Sequence, residues 1–174
     1  MNKKKVCFIS LANLYLCPYI SKYTALINCN YDIIYWNRHG IEENINANNI
    51  YSFNYKMEEN ASKLKKLIGY LKFRKYAYEI INVNSYNGII FLQTSAGILL
   101  QDILRKKYGK KYIVDIRDYT MENNPIFFSI EKKLIKDSAY CVISSKAYEN
   151  FLPPHNYIVV HNDSFIDESI IKNF

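Results

Sequence analysis

Short apolar runs alternate along this chain with longer segments whose apolar residues recur at helical spacing. The first run, KVCFISL (5–11), reads as a central parallel strand covered on both faces. After a polar turn and Pro18 comes YISKYTALIN (19–28), with Ile20, Tyr23, Ala25, Leu26 and Ile27 roughly at helical spacing. YDIIYWN (31–37) predicts a second strand, RHGIEENINANN (38–49) a polar connection, and IYSFNY (50–55) a short third strand. The longest predicted helix spans 62–84, with Leu64, Leu67, Ile68, Leu71 and Tyr78 on one stripe.

From there the alternation continues without a break. Strand GIIFLQ (88–93) precedes helix 95–109, strand YIVDIR (112–117) precedes helix 127–137, and strand AYCVISS (139–145) precedes a short helix at 146–152. YIVVHN (157–162) is the last strand. Ser95 is placed to cap its helix and Gly109 to end it, and Pro153 and Pro154 stop the short helix. Repeated βα units of this kind predict an α/β fold: a doubly wound, Rossmann-like parallel sheet in three α/β/α layers. Ligands of such sheets bind beyond the carboxyl ends of the strands, where strand order reverses.

That rule selects candidate residues. Ser10 to Asn13 stand at the carboxyl end of the first strand, Gln93, Thr94 and Ser95 at that of the fourth, and Arg117 and Asp118 at that of the fifth. Ser144 and Ser145 stand at the end of the sixth, and His161 and Asn162 at the end of the last. Asp115, in the middle of its strand, is expected to pair within the fold, because a buried charge needs a partner. Thr94 and Ser95 at a helix amino terminus suit an anion or a sugar as well as a cap. Asn13 and Tyr15, in the first loop, are candidate binding residues, as are Gln93, His161 and Asn162.

At 174 residues the chain suits one domain, and its apolar and charged fractions are those of a globular protein. No apolar run approaches the roughly 20 residues that span a bilayer, and the start MNKKKVCFIS lacks the apolar core of a secretory signal. A cytoplasmic location is the resulting expectation. Cys7, Cys17, Cys29 and Cys141 form no close pair and read as free thiols. With three histidines in all, none at ligand spacing, no metal site is expected. The net charge of +7 points to an anionic partner without choosing one.

Several chemistries lack their residues. There is no G-x-G-x-x-G after the first strand and no G-x-x-x-x-G-K-[ST] anywhere, so the phosphate-cradling backbone of dinucleotide and P-loop folds is absent. TSAG (94–97) lacks the hydrolase elbow frame. No recognition-helix or RNA-binding signature is present, so nucleic acid is not an expected partner.

Four stretches in order carry a resemblance. They are KVCFIS with NLYLCPYISKYTALI (5–10 and 13–27), the long segment from YNGIIFLQ to VDIRDY (86–119), IEKKLIKDSAYCVISSKAYENFL (130–152) and YIVVHNDSF (157–165). Together they resemble the amino-terminal half of a GT-B glycosyltransferase, in particular family 4 of the retaining, nucleotide-sugar-dependent enzymes of capsular and surface polysaccharide synthesis. The resemblance implies that 1–164 form the N-terminal Rossmann-like domain and 165–174 begin the interdomain linker. The C-terminal donor-binding domain, with paired glutamates, would lie outside this chain. It implies a hexosyltransferase whose isolated acceptor half is inactive, an acceptor that is a lipid-linked sugar, and a nucleotide-sugar donor bound mainly elsewhere, so no cofactor in this domain. Asp118 would receive or orient the proton of the acceptor hydroxyl, and Arg117 would hold phosphate charge, since an arginine cannot serve as a base. Asn13, Tyr15, Gln93, Thr94, Ser95, His161 and Asn162 would contact the acceptor. The chain departs from the family in two places: the loop LANLYLCPY (11–19) has no Gly-Gly, and Arg117 stands where many relatives have His. The alternative is a stand-alone flavodoxin-like or Rossmann-like nucleotide-binding or interaction module.

Residues 56–79 hold seven basic and three acidic side chains, interleaved with Tyr70, Phe73 and Tyr76. This reads either as a solvated basic face or as a peripheral docking surface on the anionic inner leaflet of the cytoplasmic membrane. In the second case Lys65, Lys66, Lys72 and Lys75 would face lipid and the rings would enter the headgroup layer.

Overall fold

The computed structural model describes residues 4–118 and 123–161. All seven expected strands form: β1 (Lys5–Ser10), β2 (Asn30–Asn37), β3 (Asn49–Asn54), β4 (Gly88–Phe91), β5 (Tyr112–Ile116), β6 (Tyr140–Ile143) and β7 (Tyr157–Val159). They make one sheet, parallel at every pairing, in the order β3-β2-β1-β4-β5-β6-β7. The helices are α1 (Ile20–Leu26), α2 (Lys63–Val83), α3 (Thr94–Lys107) and α4 (Pro125–Asp137). The expected helix at 146–152 is a 3₁₀ turn, Lys146–Asn150.

Alternation along the strands divides the apolar residues between two layers. Cys7, Ile9, Ile34 and Trp36 face one way, under Phe73, Ala77 and Ile81 of α2, Leu100 and Leu104 of α3, and Leu134 and Ile135 of α4. Phe8, Ile33 and Tyr35 face the other way, against Leu14, Cys17 and Ile20. The result is a doubly wound α/β/α fold with a thin layer on the α1 side. The chain winds outward from β1 to β2 and β3, then crosses back to β4. The order therefore reverses between β1 and β4, and the crevice beyond their carboxyl ends is where such sheets take ligands.

Three local expectations are corrected. The N-cap position of α3 falls on Gln93, with no side-chain cap bond, and Ser95 lies inside the first turn. After α3 the left-handed position is taken by Lys110 (φ 59°) rather than Gly109. Lys110 is held there by Asp137, whose carbonyl accepts its backbone N–H at 2.9 Å, while its Nζ donates to the carbonyls of Lys136 and Ser138. The third correction concerns α2. Its buried residues are Gly69, Phe73, Ala77 and Ile81, whereas Leu64, Leu67, Ile68, Leu71 and Tyr78 are exposed. The buried side wins because small residues let the helix close onto large rings: a Cβ on Gly69 would come within 2.6 Å of Trp36, and Phe73 stacks on Trp36 at 5.9 Å. Aromatic area packed this closely outweighs an aliphatic stripe of ordinary leucines.

Candidate functional site

Strand β5 delivers two charges to the carboxyl edge by first burying a third. Asp115 is fully buried, with Oδ1 2.6 Å from Arg117 Nε and Oδ2 2.8 Å from Nη2. Tyr23 of α1 donates its hydroxyl to the same carboxylate at 2.6 Å, as the expectation of an internal partner for Asp115 requires. Arg117 also donates to the Val160 carbonyl at 2.7 Å and lies 4.4 Å from the Tyr19 ring centroid. Burial pushes the Asp115 carboxyl up against the opposing pull of Arg117 and Tyr23. For Arg117, burial alone would weaken the charge, but its bonds to Asp115 outweigh that and hold it protonated. Arg117, expected as a clamp on ligand phosphate, is thus committed to joining α1, β5 and β7. The next residue, Asp118, is exposed.

Asp118 and Arg117 line a cavity of about 130 Å³ together with Tyr19, Gln93, Thr94 and Ser95. Five residues singled out from the sequence therefore meet in one place. Within it, Gln93 is structural: its Oε1 accepts from the Leu11 N–H at 2.9 Å and its Nε2 donates to Ser10 Oγ and Cys17 Sγ. This ties the tip of β1 to the tip of β4.

A second cavity, of about 260 Å³, opens where β1 and β2 end, and Leu16 lines both. Asn13 reaches it but has no bonding capacity left. Its Nδ2 donates to Asn37 and Glu43, each at 2.9 Å, and its Oδ1 accepts from the backbone of Arg38 and His39. Those four bonds exhaust an amide side chain. Asn13, expected as an acceptor contact, instead fixes the loop after β2. Tyr15 is exposed, its hydroxyl 2.8 Å from His39 Nδ1.

No family model and no curated protein matches this sequence. The fold is similar to that of a solved sucrose-phosphate synthase from Thermosynechococcus elongatus. The TM-score is 0.68, at 10% identity, over 98% of this chain and 95% of that one. A likeness at that identity shows the fold, and the fold is the Rossmann-like one expected.

The remaining candidates scatter. His161 is exposed at the end of the last strand, its Nδ1 3.1 Å from the Ser144 carbonyl and its own carbonyl accepting from Lys22. Asn162 lies outside the described residues. Trp36, Arg38 and His39, which wall the larger cavity, were not singled out from the sequence. The signal was present, since WNRHG (36–40) ends a strand with charged residues just as VDIRD (114–118) does. All four cysteines are free thiols, and burial raises Cys7, Cys17 and Cys141.

Proposed function

We propose that this chain is the acceptor-side half of a GT-B glycosyltransferase. The observation that carries the reading is the carboxyl edge of the sheet. Two adjoining cavities flank the β1/β4 reversal, one at the ends of β4 and β5 and the other at the ends of β1 and β2, on a fold shared along nearly its whole length with that of a sucrose-phosphate synthase. In this reading the acceptor sugar enters the crevice, Asp118 takes the proton from its attacking hydroxyl, and Thr94 and Ser95 bond its neighbouring hydroxyls. Arg117, paired with Asp115, fixes the strand end that presents Asp118. The nucleotide-sugar donor binds mainly a second domain. Within this class the chain reads as family-4-like, extending a lipid-linked surface polysaccharide at the inner face of the cytoplasmic membrane.

Calorimetry on the 174-residue chain tests the division of labour. Acceptor oligosaccharide is expected to bind, and nucleoside diphosphate sugar only weakly. Tight nucleotide binding would replace this reading with the stand-alone nucleotide-binding module.

The exposed face of α2 supports the membrane part of the proposal, with a change of contact residues. Phe73 is buried and Tyr70 and Tyr76 pack against the core, so those rings do not enter a headgroup layer. Leu64 (67% exposed) and Leu71 (54%) take that place, with Leu67, Ile68 and Tyr78, while Lys65, Lys72 and Lys75 are exposed alongside. Lys66 is half-buried and donates to the Glu59 carbonyl. A groove of about 480 Å³ between α2 and α3 adds Lys106 and Lys107 to the same side. An apolar stripe edged by lysine is suited to an anionic leaflet, each lysine near the surface adding about 1 kcal/mol. Leu67→Glu with Leu71→Glu, and separately charge reversal at Lys65, Lys66, Lys72 and Lys75, are expected to abolish co-sedimentation with anionic vesicles. Unchanged sedimentation would leave α2 a solvated face.

A further inference from the structure

Arg38 follows β2 directly and sits against aromatic rings, its guanidinium carbon 4.4 Å from the Trp36 ring centroid and 5.6 Å from that of Tyr70. The chain has four arginines, and the other three each hold an aspartate: Arg74 with Asp102, Arg105 with Asp137, Arg117 with Asp115. Among the described residues the Arg38 guanidinium has no carboxylate or carbonyl partner, and its Nε is shielded from solvent with nothing to donate to. Its backbone is fixed on both sides, the N–H donating to Asn13 Oδ1 at 3.0 Å and the carbonyl accepting from Met57 at 3.2 Å. A partly desolvated cation held in place by rings and backbone, with no carboxylate in ion-pair contact among the described residues, is prepared for an anion from outside.

We infer that Arg38 binds a phosphate of the acceptor, in the 260 Å³ cavity at the ends of β1 and β2. The inference rests on the acceptor-side reading and names the chemistry of what enters. Arginine grips phosphate oxygens in pairs, and Lys66 lines the same cavity as a second cation. Glu58 and Glu59 also line it and oppose an anion, which tunes affinity downward without cancelling a paired guanidinium contact. Lys66 and Tyr70 belong to α2, the helix that presents the apolar stripe, so the cavity lies beside the surface proposed to meet lipid. The linkage nearest a lipid anchor in a lipid-linked sugar is its diphosphate.

The single tryptophan, Trp36, is the reporter. Titrating the 174-residue chain with inorganic pyrophosphate is expected to give a saturable change in Trp36 fluorescence. Arg38→Gln should weaken the response about 10- to 100-fold, the scale of a charge-assisted hydrogen bond. Arg38→Lys, which keeps the charge but loses the fork, should fall between. Glu58→Gln with Glu59→Gln should tighten binding, and this variant keeps the test decisive if Arg38→Gln fails to fold. A second titration uses polyprenyl diphosphate in detergent micelles. Tighter binding there identifies a lipid-linked source and equal binding a soluble one, and both support the site. No saturable response to either probe, or one unchanged in folded Arg38→Gln, overturns it. Sugar transfer by the intact enzyme without any phosphate response would keep the glycosyltransferase reading and remove this one. Phosphate binding without transfer would do the reverse.

Discussion

Arg117→Met is expected to destabilise the chain by about 3–5 kcal/mol, because it leaves a fully buried carboxylate without its counter-ion. For a domain of this size that lowers the thermal midpoint by roughly 6–20 °C. The loss does not come from the net value of the ion pair, since a buried pair often does no better than apolar residues of the same shape. It comes from stranding Asp115, which keeps only the Tyr23 hydroxyl 2.6 Å away. Adding Asp115→Leu to Arg117→Met should therefore recover much of the loss, a coupling that a double-mutant cycle measures directly. The Val160 carbonyl and Tyr23 hydroxyl remain without partners, so recovery stops short of wild type. Two single variants whose effects simply add would show that the pair carries no such coupling, and would free Arg117 for the ligand role its position first suggested.

Arg117 also marks the boundary of what this sequence discloses. Its position at a strand end, and the need of Asp115 for a partner, are both legible from alternation and from the cost of burying charge. That the two are each other's partners is not, because residues two apart on a strand share a face only if nothing diverts them, and Tyr23 arrives from a helix 92 positions away. The same limit explains α2. Its sequence carries two apolar faces, one aliphatic and continuous, the other spaced by Gly69 and Ala77. Periodicity favours the first, and only the position of Trp36 on β2 shows that a gap at Gly69 is where the sheet side must be. Ser95 and Gly109 are cap-forming residue types, yet the N-cap of α3 falls two residues earlier on Gln93 and its C-cap on Tyr108, and Lys110 is stabilised in the left-handed turn by carbonyls of the segment ending α4. The doubly wound parallel class was open to reading because repeated βα units leave few handed arrangements, whereas the strand order came only with the structure. Residues at strand ends were therefore visible, whereas a cluster that needs a helix face laid against a strand end, as Tyr70 of α2 meets Trp36 and Arg38, was not.

Under the proposed acceptor-side function, Asp118→Asn in the intact protein is expected to lower kcat for sugar transfer by about 10²–10⁴-fold, the usual contribution of a positioned acid or base. The thermal midpoint should hardly move, since Asp118 is exposed and surface changes stay within roughly 0.5 kcal/mol. The substitution separates two roles that the geometry alone would allow. Asparagine keeps the shape and one hydrogen-bond acceptor, so a residue that only orients the acceptor hydroxyl would survive it with a modest rise in KM. A residue that accepts the proton would not, because an amide cannot take it. The split between kcat and KM therefore reads the role itself. Arg117→Met should impair stability and transfer together, whereas Asp118→Asn should impair transfer alone, so the two neighbours are distinguished by what each variant leaves intact. Wild-type kcat in Asp118→Asn would move the proton acceptor to the adjoining cavity, whose lining includes His39, Glu58 and Glu59.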